Sequence, residues 1–150
     1  MPAPRCTAGR GIEADEETLC RIMLDLQYQG AHNINLVTPA PHVPLIARTL
    51  PLARQAGLTI PVVYNTNAYE NVQTLKMLEG LIDIYLPDFK YVSAPLAKKY
   101  SDAEDYFAIA AQAIAEMYRQ VGNIKLDENG MAVSGVLIRH MVLPGCVDDT

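Results

Sequence analysis

Asp88-Phe89-Lys90 sets an acidic and a basic side chain two positions apart, so in extended chain both project to one side. An acceptor and a donor placed this way can hold a ribose hydroxyl, an amine or a carboxylate. A salt bridge that only closes a strand end is the alternative, and on the residues alone the favoured one. Arg139 lies in the apolar run 136–143, where an unpaired guanidinium is costly, so it needs an anion from the protein or from a ligand. Its neighbour His140 reads as a packed or hydrogen-bonded histidine rather than a catalyst. Thr38 and Asn65-Thr66-Asn67 add neutral hydrogen-bonding groups, each at the end of an apolar run. Polar residues ending successive apolar runs point to a polar ligand. Asn33 and Asn35 alternate with Ile34 and Leu36, so both amides share one strand face, lining an interior or bonding to neighbouring strands.

Cysteine and histidine form no ligand set. His32 and His42 have no Cys or Glu at ligand spacing. The three cysteines are Cys6 near the N-terminus, Cys20 in a helical apolar pattern, and Cys146 after Gly145 in a loop. Their odd number and wide spacing argue against a disulfide framework and fit a reducing cytoplasm. Half of the 150 residues are apolar and 19% are charged, a balance that supports a packed core. The net charge of -5 includes no basic block, which disfavours nucleic acid. No apolar run reaches the roughly 18 residues of a membrane span, and the start Met1-Pro-Ala-Pro-Arg-Cys6 lacks the apolar core of a secretory signal.

The elements that must position these residues follow from spacing. Asp15 caps a helix with Glu16 and Glu17 in its first turn and Leu19, Ile22, Met23 and Leu26 on one face, ending at Gly30. Strands are predicted over 32–38, 60–65, 81–86 (closed by Pro87) and 136–143. Helices are predicted from Pro44 to Gly57, kinked or divided at Pro51, and over 69–79. A fourth opens at a capping box of Ser101 and Glu104 and runs to Val121. Its apolar stripe is Phe107, Ala110, Ala111, Ile114, Met117, Tyr118 and Val121. Asn129-Gly130 signals a hairpin turn. Alternating strands and helices predict an α/β fold with about four parallel strands and right-handed crossovers, the helices on one side. A closed eight-stranded barrel needs about 250 residues, so the chain reads as the interior of a larger unit: a remnant over 1–14 and a portion of a barrel over 15–150.

Four strings carry a resemblance: 30–39 (GAHNINLVTP), 61–67 (PVVYNTN), 83–90 (DIYLPDFK) and 138–145 (IRHMVLPG). They resemble the PflX-like branch of radical S-adenosylmethionine proteins, relatives of the pyruvate formate-lyase activating enzyme, over a match from about Gly11 to the end. The resemblance implies the partial (β/α) barrel of that superfamily. It also implies S-adenosylmethionine and a [4Fe–4S] cluster as cofactors of a full-length parent, with a substrate protein as a further partner. By that resemblance, Thr38 follows the strand at the methionine-binding turn. Asn65-Thr66-Asn67 matches the Asp-Thr-Asn element of the activases, with Asn65 in place of the aspartate. Asp88 and Lys90 match their Asp-Leu-Lys, which contacts the cofactor, and Arg139 the arginine of the fifth strand. The CxxxCxxC loop that ligates the cluster is absent from the chain.

The expectation is therefore part of an activating-enzyme-like oxidoreductase whose parent generates a 5'-deoxyadenosyl radical. The alternative is a non-catalytic truncated or decayed paralogue that keeps the fold and at most weak nucleoside binding. A barrel aldolase with Lys90 as Schiff-base amine is a remote third.

Overall fold

A computed structural model describes residues 13–147. Cys6, nearly all of the expected N-terminal remnant and the Asp148-Asp149-Thr150 tail lie outside the described residues. Helix α1 (Glu16–Tyr28) starts where Asp15 accepts a hydrogen bond from the Thr18 amide at 2.8 Å, and β1 (Ile34–Val37) follows. After a short 3-10 turn come α2 (Val43–Gln55), β2 (Val62–Thr66), α3 (Val72–Lys76) and β3 (Ile84–Phe89). Helices α4 (Ala94–Ser101) and α5 (Tyr106–Val121) precede β4 (Lys125–Leu126), β5 (Ala132–Val136) and β6 (Arg139–His140). No helix among the described residues is long and apolar enough to cross a membrane.

The fold is α/β, with a mixed, mostly parallel sheet in the order β1-β2-β3-β5-β4. β1, β2, β3 and β5 run parallel, and among the described residues only the β4–β5 hairpin is antiparallel. The short β6 pairs in parallel with the carboxyl end of β3. Ile34, Val62, Tyr64 and Tyr85 pack in one core with Met23 of α1, Leu50 of α2, Leu75 of α3 and Met117 of α5. Those strand residues share one sheet face, so the helices lie together on it, as successive right-handed crossovers require. Leu50, Leu75 and Leu78 are fully buried, each contributing about 1.5–3 kcal/mol from apolar burial. Asn35, Val37, Asn65, Leu86 and Asp88 alternate onto the opposite face. At the amino ends, Arg54 donates to the carbonyls of Leu58 and Ile60 (3.0 Å each) and to Asp83 Oδ2 (2.5 Å). The same carboxylate oxygen accepts from the Val62 amide at 2.7 Å, which joins α2, β2 and the start of β3.

Several boundaries depart from the sequence-based expectation. α2 continues through Pro51 undivided. β3 begins later and runs past Pro87 to Phe89. Leu137 and Met141 donate to the carbonyls of Tyr85 and Phe89, so the odd residues of β3 face β5 and β6, and the amide that Pro87 lacks falls at the break between those two short strands. α3 starts at 72 rather than 69, because Asn67 Oδ1 accepts from the Tyr69 amide (3.0 Å) and Ala68 takes a left-handed φ of 65°. Ser101 ends α4 instead of opening a helix, and Asp102 closes it at φ 53°. Ser93 caps α4 and Pro95 sits in its first turn, a start signal available in the sequence. The buried strand expected over 136–143 is two short segments, and Leu137, Ile138, Arg139 and Val142 are exposed. Phe107, Ala111 and Tyr118 also point outward, leaving Tyr106, Ala110, Ala113 and Met117 as the buried stripe of α5. The Asn129-Gly130 turn forms as expected, with Gly130 at φ 77° and Asp127 accepting from the amides of Asn129 and Met131.

Two predictions follow from the packing. Gly135 has φ 117°, and a Cβ there would stand 2.4 Å from Ile124 Cα and 2.5 Å from Asn123 O. Gly135→Ala is expected to cost about 2–5 kcal/mol from overpacking and left-handed strain, read as a lower urea midpoint at unchanged m-value. The carboxyl of Glu116 is held down to about 2, chiefly by hydrogen bonds from Arg119 and Gln120. Its folded-state value lies below the unfolded one, so its stabilisation is complete above the usual carboxylate range and lost as pH falls toward about 2. Acid unfolding of Glu116→Gln should therefore show a shallower pH dependence across that window than the wild type.

Candidate functional site

The carboxyl ends of β1, β2, β3 and β6 form one rim. Register places Asp88 beside Arg139, and Arg139 Nε donates to Asp88 Oδ1 at 2.6 Å. Arg139 Nη2 reaches across β3 to Asn65 Oδ1 at 2.8 Å. The guanidinium side chain is 49% exposed and that of Asp88 29%, so the cluster is open to solvent on the helix-free face. Two of the five guanidinium N–H donors are used in these bonds, and the others remain for a further acceptor. Thr38 adjoins the cluster through its backbone, its amide donating to the Asn65 carbonyl at 2.8 Å. Its φ of 52° is left-handed, a strained state for a β-branched residue. His140 places Nδ1 2.7 Å from the Phe89 carbonyl, which ties β6 to the end of β3.

Of the residues picked from sequence, Asn65, Asp88 and Arg139 come together and Thr38 lies alongside. Thr66 does not join them. It is buried on the helix side with Val62 and Tyr64, and its hydroxyl donates to Glu70 Oε1 at 2.5 Å. The parity of the strand sends Thr66 away from Asn65. Lys90 also leaves the cluster, because β3 ends at Phe89. It lines a separate cavity of about 190 Å³ with Asn67, Tyr69, Ser101, Asp102 and Tyr106. Asn33 and Asn35, expected to line an interior or bond between strands, are exposed on β1 and just before it. A larger depression of about 760 Å³ lies against β1 between α1 and α2, lined by Leu19, Asn35, Val37, His42 and Ile46, and includes none of the rim polar residues.

Sequence reasoning missed two buried polar residues, and the first of them builds the rim. The Tyr106 hydroxyl accepts from the Lys90 amide (3.0 Å) and shares its proton between the carbonyls of Asp88 (2.7 Å) and Asn67 (2.9 Å). It thereby joins the β2 and β3 loops to the first turn of α5. Burial pushes its phenol up to about 12, so it stays a donor at neutral pH. Tyr69 stacks on it at 6.1 Å and Tyr91 meets it edge-on at 5.4 Å. The helical spacing of Tyr106 with Ala110, Ala113 and Met117 carries the signal, which the choice of Phe107 for the stripe obscured. The second residue is Glu70, 6% exposed, whose carboxyl is raised chiefly by burial. Nothing in the sequence distinguishes it from an exposed loop acid. Tyr106→Phe leaves two carbonyls and one amide short of a partner, and is expected to destabilise the chain by about 1–3 kcal/mol in urea unfolding.

No family model matches the chain, and no solved structure matches it. An uncharacterised protein of Methanocaldococcus jannaschii is 32% identical to it over 118 residues. The aligned stretch covers 77% of this chain and 30% of that protein, so the chain spans less than a third of the length of the curated relative it matches.

Proposed function

We propose that the Asn65–Asp88–Arg139 cluster binds S-adenosylmethionine, and that the chain is part of a radical S-adenosylmethionine, activating-enzyme-like oxidoreductase. The observation that carries the reading is the Asp88–Arg139 pair, with Asn65 beside it, at the carboxyl ends of parallel strands. In parallel α/β folds that rim is where ligands bind. Adenosylmethionine presents a carboxylate, an ammonium, a sulfonium and ribose hydroxyls, so its site needs both signs of charge and a neutral partner. Arg139 has donors left for the carboxylate, Asp88 supplies the negative charge, and Asn65 the amide. Thr38 stands at the edge of the same site, whereas Thr66 and Lys90 act from behind it or from the neighbouring cavity. The order β1-β2-β3-β5 with helices on one face is compatible with a stretch of partial (β/α) barrel.

A [4Fe–4S] cluster does not fit the residues present. Cys20 and Cys146 stand singly, and among the described residues no group of three or more His, Cys, Asp or Glu could hold a metal ion. Cleavage of the sulfonium is therefore not assigned to this chain, and its own residues bind and orient the cofactor. Affinity is weak, because the open iron that would chelate the methionine end is not supplied here.

Isothermal titration of the chain with S-adenosylmethionine tests the reading. Asp88→Ala and Arg139→Ala are each expected to weaken binding by about 1–3 kcal/mol, the usual cost of leaving a charged partner unpaired. Unchanged affinity in both variants would mean that Asp88–Arg139 is only a salt bridge fastening β6 to β3.

A further inference from the structure

We infer that the depression between α3 and α5 is a binding site for a protonated amine, with the carboxylate of Glu70 as its anionic anchor. The depression holds about 410 Å³ and is lined by Tyr69, Glu70, Val72, Gln73, Ile109 and Gln112, with Asn71 at its edge. None of Asn65, Asp88 and Arg139 belongs to it, so it is distinct from the rim cluster.

Glu70 is 6% exposed, yet its two oxygens are treated unequally. Oε1 accepts from the hydroxyls of Thr66 (2.5 Å) and Tyr64 (3.3 Å), both on β2. Among the described residues nothing hydrogen-bonds to Oε2, and no Lys, Arg or His forms an ion pair with Glu70. Oε2 is not sealed from solvent, and Glu70 lines the depression. A carboxylate taken this far from water without a counter-charge is costly, and its ionised form gains most from a cation. Burial accordingly raises its pKa.

The surroundings select the kind of cation. A divalent metal takes six or more oxygen ligands, and a single free carboxylate oxygen is a poor start for that shell. An ammonium needs one charged acceptor and one or two neutral ones. The side-chain amides of Gln73 and Gln112 are uncommitted among the described residues and supply neutral acceptors. Val72 and Ile109 offer aliphatic surface to the carbon stem. Tyr69 lines one side, held there by donating its hydroxyl to Asp105 at 2.7 Å. The ligand class is therefore a primary alkylammonium, whether a free amine or the head of a lysine side chain.

The probe is n-butylammonium, titrated into the whole chain and followed by the methyl NMR signals of Ile109 and Val72 and by melting temperature. Saturable shifts of these methyls and a higher melting temperature are expected, with neither effect from n-butanol. Glu70→Gln keeps the shape and the hydroxyl partners and should weaken butylammonium binding roughly tenfold or more. Gln112→Lys provides a tethered ammonium from α5. It should raise the melting temperature, block the added amine, and lose that gain when combined with Glu70→Gln. Equal methyl shifts from butylammonium and butanol would overturn the site, as would stabilisation by Gln112→Lys that does not depend on Glu70. No readout involves adenosylmethionine, so this inference and the proposed function stand or fall separately.

Discussion

The rim depends on one hydroxyl group. Tyr106 stands at the first turn of α5, and its oxygen meets the backbone of Asn67, Asp88 and Lys90. These groups belong to the loop after β2 and to the end of β3, which share no strand pairing beyond Thr66 and Pro87. A hydrogen bond contributes only about 1 kcal/mol net, but leaving its buried partners unpaired costs more. That asymmetry lets a single phenol hold two loops at a fixed separation. The aromatic rings of Tyr69, Phe89 and Tyr91 pack around it and keep water from competing.

Carboxylates elsewhere illustrate how environment assigns roles to one chemical group. Asp83 meets Arg54 and the Val62 amide, and so closes the amino end of the sheet. Glu116 sits within α5 yet stays ionised, because Arg119 and Gln120 satisfy it. Glu70, just outside the end of β2, has hydroxyl donors but no cation among the described residues. Asp88 is partly exposed and already paired with Arg139, so a ligand must share that pair rather than meet two free charges. The exposed position keeps the sharing inexpensive, since water continues to solvate both groups.

Much of the architecture was legible from local rules. The Asp15 cap, the Gly30 stop, the start of α2 near Pro44 and the Asn129-Gly130 turn each depend on a few neighbouring residues. Parallel strands alternating with helices followed from the spacing of apolar runs. The failures share one cause, which is that the deciding partner is distant in the chain. Pro87 was expected to end a strand, but its missing amide faces the break between β5 and β6, so β3 runs on while its pairing with β2 continues to Thr66. Ser101 and Glu104 match a capping pattern, yet the short helix opened by Ser93 and Pro95 had already claimed Ser101. The run 136–143 is apolar enough for a core strand, but it lies against the outer edge of β3 and is largely exposed.

The sequence by itself determined the fold class, the direction of the main strands and the pairing need of Arg139, because helical and strand periodicity and the cost of a lone guanidinium are local properties. It also placed Asn65, Asp88 and Arg139 at the ends of strands. Only the tertiary structure decided that these three meet while Thr66 turns inward and Lys90 departs, since that outcome rests on strand register and parity across β2, β3 and β6. It likewise decided that Tyr106, not Phe107, faces the core and that Glu70 is buried. A rotation of one residue about α5 reverses which ring reaches the loops, and no nearest-neighbour preference in the chain sets that angle.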